Sequence, residues 1–309
     1  MSSTQIVSII AIYILLLIIP ALFIYWLGFK TNKSKINLLL KLLSVWSYFI
    51  FFFYAGTWQF VSYYFRYILL FLLIGATIKA LLPFKTLVLF EKKKVWGWTK
   101  FVGQVLFAVI FVMSCIQLIP GFSTDEKGIN ISFPLKEAYI WHGGNLEALN
   151  YHQADTSAQH YALDIGKLNK WGLRADGFFP DDLNKYAIYG DTVFAPCDAK
   201  VVRVRDSLDN AKIGEEIKVK ITGNHIVLEY ENCLIVFCHL FKNSLLVSVG
   251  DTVRKGQPMA RVGNSGHTSE PHLHIHAIAG TDTSKILTGH GIPIYFDGKF
   301  LIRNDRIKQ

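Results

Sequence analysis

The sequence predicts a multi-pass α-helical membrane region of about four spans, followed by an all-β antiparallel domain. Three observations carry this. Mean hydropathy is +0.31 with only 18% charged residues, which fits membrane-embedded sequence better than a soluble enzyme. Charge divides near residue 120: residues 1–120 hold 11 basic side chains against one acid, Glu91, whereas the remainder holds 21 basic and 22 acidic. All ten histidines lie in the second part. Four cysteines are too few for a disulfide scaffold. The net charge of +9 belongs to loops between spans, so it does not point to nucleic acid, which needs a basic face on a folded domain.

Residues 1–120 take the four spans. Residues 6–29 carry no charge and are long enough to cross a hydrocarbon core of roughly 30 Å. Comparable stretches follow at about 37–59, 62–83 and 101–120. Lys41, Arg66 and Lys79 sit near span ends, where long stems snorkel. Trp26, Trp46, Trp58, Trp96 and Trp98 stand where an interfacial belt would place them. The loop with Lys30, Lys33 and Lys35 and the loop with Lys85, Lys92, Lys93, Lys94 and Lys100 are basic, so the positive-inside rule puts both in the cytoplasm and both termini outside. The uncharged MSSTQ start, with no small-residue cleavage site after it, is read as a retained first span. No charge stands clearly at mid-bilayer, so the spans read as an anchor that self-associates or binds a protein activator, and not as a transporter.

Residues 121–138 read as a linker and 139–309 as the β domain. Runs such as AKVVRVRDS (199–207), EEIKVKITG (215–223), NHIVLEYEN (224–232) and CLIVFCHL (233–240) are short, β-branched and punctuated by Gly, Asn and Asp. Asp297-Gly298 marks a hairpin, and Gly190-Asp191 and Gly250-Asp251 open two similar turn–strand units. In Pro271-His272-Leu273-His274-Ile275-His276, alternate residues of a strand share a face, so three imidazoles project together at about 6–7 Å intervals. Such a cluster needs a metal or specific partners. Asp164 in YALDI, His152 and His160 upstream of it, and His239 at the end of an apolar strand add further candidates. A catalytic zinc takes three protein ligands of His N or Asp/Glu O type and keeps a position for water, and hydrolysis needs groups to move a proton and stabilise an oxyanion.

At these residues the chain resembles the lysostaphin-type (LytM-like) zinc metallopeptidases. The resemblance covers roughly 140–280 and rests on His160-Tyr161-Ala162-Leu163-Asp164, Gly190-Asp191-Thr192-Val193-Phe194-Ala195-Pro196, Gly223-Asn224-His225, Cys238-His239-Leu240, Gly250-Asp251-Thr252-Val253, Gly263-Asn264-Ser265-Gly266 and Pro271-His272-Leu273-His274. It implies Zn²⁺ held by Asp164 and His274, with His239 and His272 polarising water and stabilising the transition state. For the third ligand it leaves two candidates. His160 has the usual spacing of four before Asp164. His152 fits a subgroup with an Asn-x-His upstream of a Gln-x-Tyr-Ala-x-Asp motif, and is preferred. The sequence departs from the family at Ala162, usually Gly, and at His276, usually Glu. His276 shares the face of His274 and is read as supporting it.

His142, His225, His267 and His290 read as surface or turn histidines. Cys233 and Cys238 fall on opposite faces of one strand, while a bond from Cys197 to either stays open. Residues 166–190, with Trp171, Phe178 and Phe179, form either a cleft wall or a packing loop. The expected function is a membrane-anchored zinc metalloendopeptidase acting on peptidoglycan peptides outside the cytoplasmic membrane. The competing reading is a catalytically silent wall- or partner-binding regulatory domain on the same anchor.

Overall fold

The structure is a computed structural model and describes residues 3–92, 95–154, 158–215 and 220–308. Lys93 and Lys94, residues 216–219 of the run 215–223 and the side chain of Trp96 lie outside that description, and the described rest of that run, read as a strand, forms none. The chain divides into a helical unit, Ser3–Ile119, and a β-rich unit from Pro120 onward.

The helical unit begins with α1 (Ser3–Tyr13), which runs through a π-helical turn (Ile14–Ile18) into α2 (Ile19–Phe29). Pro20 stands in the first turn of α2, and its missing N–H is the kind of interruption that a π turn absorbs. Helices α3 (Lys35–Ala55), α4 (Phe65–Leu81) and α5 (Val95–Leu118) follow. Ser34 caps α3 by accepting from Asn37 N–H at 3.3 Å. Among the described residues, four helical stretches are long and apolar enough to cross a membrane: Ile6–Phe29, Lys35–Ala55, Phe65–Thr86 and Gly97–Phe122. Phe23, Tyr48, Phe107 and Phe111 interlock between them, with Phe23–Phe107 centroids at 5.5 Å and Tyr48–Phe111 at 4.9 Å.

Three expectations for this unit change. Lys41 does not snorkel: it is buried, donates to the carbonyls of Trp26 (3.0 Å) and Lys30 (3.2 Å), and so satisfies the open end of α2. Arg66 is also buried, with its guanidinium 4.1–4.8 Å from the rings of Phe53, Tyr63 and Tyr67. Trp58 is 1% exposed in the unit's core, with its indole N–H on the Phe52 carbonyl, and so is no part of an interfacial belt.

The β-rich unit contains, among the described residues, the strands β1 (Ile129–Ile131), β2 (Glu137–His142), β3 (Leu163–Gly166), β4 (Thr192–Phe194), β5 (Ala199–Arg205), β6 (Asn224–Tyr230), β7 (Cys233–Leu240), β8 (Thr252–Val253), β9 (Pro258–Arg261), β10 (Leu273–Ala279), β11 (Gly291–Ile292), β12 (Ile294–Phe296), β13 (Lys299–Phe300) and β14 (Arg306–Lys308). The main sheet is antiparallel in the order β14-β2-β3-β10-β7-β6-β5-β8, with β11 also on β10. Strands β4 and β9 pair as a separate ribbon. The turn at Asp297-Gly298 joins β12 and β13, both residues at positive φ (48° and 80°) as a type I′ hairpin requires. Two expectations fail. The domain is not wholly antiparallel, because β1 pairs with β12 in parallel. Residues 121–138 are not merely a linker: they supply β1 and put Ile129, Ile131, Phe133 and Leu135 into the core.

Strand β7 is buried along its whole length because both faces are covered. Ile235 and Phe237 enter the main core, while Leu234, Val236 and Cys238 join Ala158, Val227, Ile278 and Ile286 on the other side. Strand β10 alternates likewise: Leu273, Ile275 and Ala277 point into the main core, and His274 and His276 share the opposite face. One face of the central sheet is thus apolar throughout, and the other is apolar at one end and imidazole-lined at the other.

Candidate metal centre

Strands β3, β7 and β10 are neighbours, and they place Asp164, His239 and His274 side by side. Asp164 pairs with His274 in the β3–β10 ladder, and Cys238 pairs with His274 in the β10–β7 ladder. Two irregularities aim the side chains. The β6–β7 register shifts between Asn224 and Ile226, and His239 takes a left-handed backbone (φ 62°), a conformation a non-glycine residue adopts at a cost of order 1–3 kcal/mol. The β2–β3 register shifts opposite Asp164. There Gly166 lets the Trp141 indole lie against the strand, since a Cβ at 166 would meet that ring at 2.2 Å. The Trp141 ring then flanks His272, centroids 5.7 Å apart.

Among the described residues three donor sets converge, with ligand atoms within 4.8 Å of one another in each: His152, Asp164 and His274; His239, His272 and His274; and Cys238, His274 and His276. His152 Nε2 lies 3.1 Å from Asp164 Oδ2 and His274 Nδ1 2.9 Å from Asp164 Oδ1. His272 Nε2 lies 3.4 Å from Asp164 Oδ1. His160 is in none of these sets; its ring stands edge-on to Tyr161 at 4.8 Å. His152 reaches Asp164 because Asn150, fully buried, accepts from His152 N–H and donates to the carbonyls of Gly144 and Ala162, folding 150–154 back over β3.

The hydrogen bonds fix the tautomers. A carbonyl only accepts, so His276 Nε2 carries the proton it gives to Ile286 O at 2.7 Å. Neutral His276 then presents a bare Nδ1, which accepts from His274 Nε2–H at 3.1 Å. Burial pushes His274 down to about 4 and His276 to about 3, so both are neutral at pH 7. His274 Nδ1 is therefore a bare lone pair facing a carboxylate oxygen. Burial works against charge on Asp164, yet the neighbouring His152 and His272 hold it well below the usual carboxylate range. His152 Nε2 is buried and lacks a hydrogen-bond partner despite its closeness to Asp164. Lone pairs aimed at an anion repel unless a cation lies between them, and a His-Asp-His set of this kind suits zinc.

His239 and His272 are prepared differently. His239 donates Nδ1–H to Ser265 O (2.8 Å), and His272 donates Nδ1–H to Glu270 O (2.8 Å), leaving each Nε2 on the site side. Burial and the neighbouring imidazoles depress His239. His272 is also opposed by burial, but the Asp164 carboxylate raises it. The glycine-rich motifs serve this geometry. Asn224 N–H donates to Ser265 Oγ, and Ser265 Oγ–H to Leu240 O, so Gly223-Asn224 and Asn264-Ser265 together hold the Ser265 carbonyl under His239. A Cβ at Gly223 would sit 2.1 Å from Ser265 O.

Of the histidines expected at the surface or in turns, His225 is buried and His142 is partly buried. His142 accepts at Nδ1 from Tyr151 N–H and Arg303 Nη2–H, and burial drives it to about 3. His225 is 1% exposed, held by Thr222 and Gly223, and burial drives it to about 4. His267 and His290 are exposed. All four cysteines are free, and Cys233 and Cys238 lie on opposite faces of β7. Trp141, Arg174, Glu270 and Arg303 had no motif to announce them.

Residues 184–285 match the model of peptidase family M23. They form an M23 peptidase domain. The match takes in His239, His272 and His274 and begins after His152 and Asp164. The M23 family is zinc-dependent and includes peptidoglycan-hydrolysing enzymes. Among solved structures, a zinc-containing peptidase from Vibrio cholerae is 21% identical, with 49% of this chain and 37% of that chain covered and a TM-score of 0.30. The catalytic domain of lysostaphin from Staphylococcus simulans is 20% identical, covering 49% and 86%, with a TM-score of 0.26. A peptidase M23 from Pseudomonas aeruginosa is 14% identical, covering 62% and 59%, with a TM-score of 0.28. The chain spans about two fifths of the length of the first two structures it matches, 37% and 40%. No curated protein matches it.

Proposed function

We propose that the chain is a membrane-anchored zinc metalloendopeptidase that hydrolyses peptide bonds of cell-wall peptidoglycan outside the cytoplasmic membrane. The observation that carries this reading is the bare His274 Nδ1 facing Asp164 Oδ1 at 2.9 Å beside the unpartnered His152 Nε2, within an M23 fold. His152, Asp164 and His274 would hold the zinc. When bound, zinc supplies a Lewis acid and lowers the pKa of a water.

The chain's own groups do the rest. His239 and His272 both have Nδ1–H committed to a carbonyl, so each offers Nε2 to a proton. One takes the proton of the attacking water and delivers it to the leaving amine; the other, when protonated, donates to the developing oxyanion. His276 keeps the His274 Nε2 proton occupied and so directs Nδ1 at the metal position. The four apolar helices form the anchor, and the basic loops around Lys33 and Lys92 argue for an outward β-rich unit.

Full-length protein in detergent, loaded with one equivalent of zinc, tests this: it cleaves purified peptidoglycan to new amino termini and stops on chelation. A well-folded, zinc-loaded protein that releases none would make the unit a binding module.

A further inference from the structure

Besides the ligand set, the β-rich unit holds a buried ion pair. Arg174 Nε–H is shared by both oxygens of Glu270, at 2.9 and 2.8 Å, and the two side chains are 2% and 7% exposed. The same guanidinium donates from Nη2 to the Phe178 carbonyl at 2.9 Å and lies 4.4 Å from the Phe179 ring. At its other end the pair reaches the site. The Glu270 carbonyl is the acceptor for His272 Nδ1–H and also takes the Thr268 hydroxyl at 2.8 Å. An unbroken line of direct contacts therefore runs from Phe178 through Arg174 and Glu270 to His272.

Packing does not demand such a pair. Two buried charges are costly to desolvate, and apolar residues of equal volume often stabilise a core as well or better. What the pair provides is a fixed direction. Between Gly266 and Leu273 the backbone belongs to no strand or helix, so no ladder sets where the Glu270 carbonyl points. That carbonyl decides which His272 nitrogen keeps its proton, and hence whether Nε2 faces Asp164 as a proton acceptor. A Glu270 free to turn would let the carbonyl swing and the imidazole rotate or change tautomer. The loop that supplies Arg174 is itself folded on its own bonds: Asn169 Oδ1 accepts from Trp171 and Leu173 N–H, and Asp176 N–H donates to Lys185 O.

We propose that Arg174 and Glu270 are positioning residues for His272: their ion pair fixes the carbonyl that holds the His272 Nδ1 proton and ties the loop 167–190 to that histidine. The kinetic part of the test rests on the peptidase reading; the tautomer part does not.

The experiment uses the full-length, zinc-loaded chain in detergent, with histidine labelled in ¹⁵N and the His272 signals assigned by their loss in His272→Ala. Long-range proton–nitrogen correlation should show His272 as the Nδ1–H form in the wild type; an Nε2–H form there overturns the proposal without any variant. In Glu270→Leu the His272 signals should become a tautomer mixture, with kcat on a wall peptide down about 10- to 100-fold, the range for a misplaced reacting group. KM and zinc content should hold, and Glu270→Gln, whose amide oxygen still accepts from Arg174, should recover most of the loss. A lower melting temperature with unchanged kcat per zinc and an unchanged tautomer would show a merely structural pair and overturn the proposal. Should Glu270→Leu fail to fold, Arg174→Leu is read in the same way. If the wild type cleaves no wall peptide, the peptidase reading falls while the tautomer measurement still decides this one.

Discussion

The helical and β-rich units both bury polar groups, and they treat them in opposite ways. In the helical unit Lys41 ends on two backbone carbonyls, at 3.0 and 3.2 Å, and Arg66 lies among three aromatic rings. Each cation is surrounded by groups that lower its energy where it stands. In the β-rich unit the second face of the sheet collects His152, Asp164, His239, His272 and His274, and several of their lone pairs point at one another across a shared space. The bare His274 Nδ1 repels the Asp164 carboxylate as it stands, and a cation between them makes the contact favourable. Burial alone does not mark a site; a buried polar group whose neighbours are of the wrong sign does.

The comparison breaks first at the ligand set. Asp164→Ala or His274→Ala should remove zinc and lower peptidoglycan cleavage by more than about 10³-fold, beyond the usual contribution of one acid–base group. Elemental analysis with a cleavage assay on the same sample checks this, and retained zinc in either variant contradicts it. Next come the two imidazoles tethered to carbonyls. His239→Ala and His272→Ala should each keep one zinc per chain and lose about 10²–10⁴-fold in turnover. Loss of metal there would make that histidine a ligand.

A smaller effect is expected one bond further out. His276→Ala frees His274 Nε2–H from its acceptor and should weaken zinc binding about 10- to 100-fold, read by competition with a chromophoric chelator. His276→Glu, which restores a carboxylate acceptor, should regain most of that affinity. The smallest effect belongs to the helical unit. Lys41→Met should cost stability of about 1–3 kcal/mol through the carbonyls left unsatisfied, seen as a lower melting temperature, with cleavage per zinc unchanged. A loss of catalysis in Lys41→Met would mean that the helical unit takes part in the chemistry.

What the sequence made legible was periodic or local. Four long apolar runs, the Asp297-Gly298 turn and the alternation of His272, His274 and His276 on a strand follow from spacings of a few residues. What stayed hidden depends on contacts between distant residues. Arg303 reaches His142 and Leu149 O across about 150 residues or more, and Arg174 meets Glu270 across 96. The parallel pairing of β1 with β12 and the bulge that turns His239 leave no mark in composition either. Lys41 was misplaced for the same reason: hydropathy gives a helix its length but not the partner that waits for a buried cation. The sequence prefers His152 to His160 only through the Asn-x-His pattern; the fold-back of 150–154, which Asn150 holds through Gly144 and Ala162, could not be read from it.

That choice is also where the account is most exposed. Zinc bound per chain should be measured in full-length His152→Ala and His160→Ala beside the wild type, each shown to be folded by its melting transition. The account predicts one zinc in the wild type and in His160→Ala, and little or none in His152→Ala. One zinc retained in His152→Ala with loss in His160→Ala would contradict it and move the third ligand to the nearer histidine.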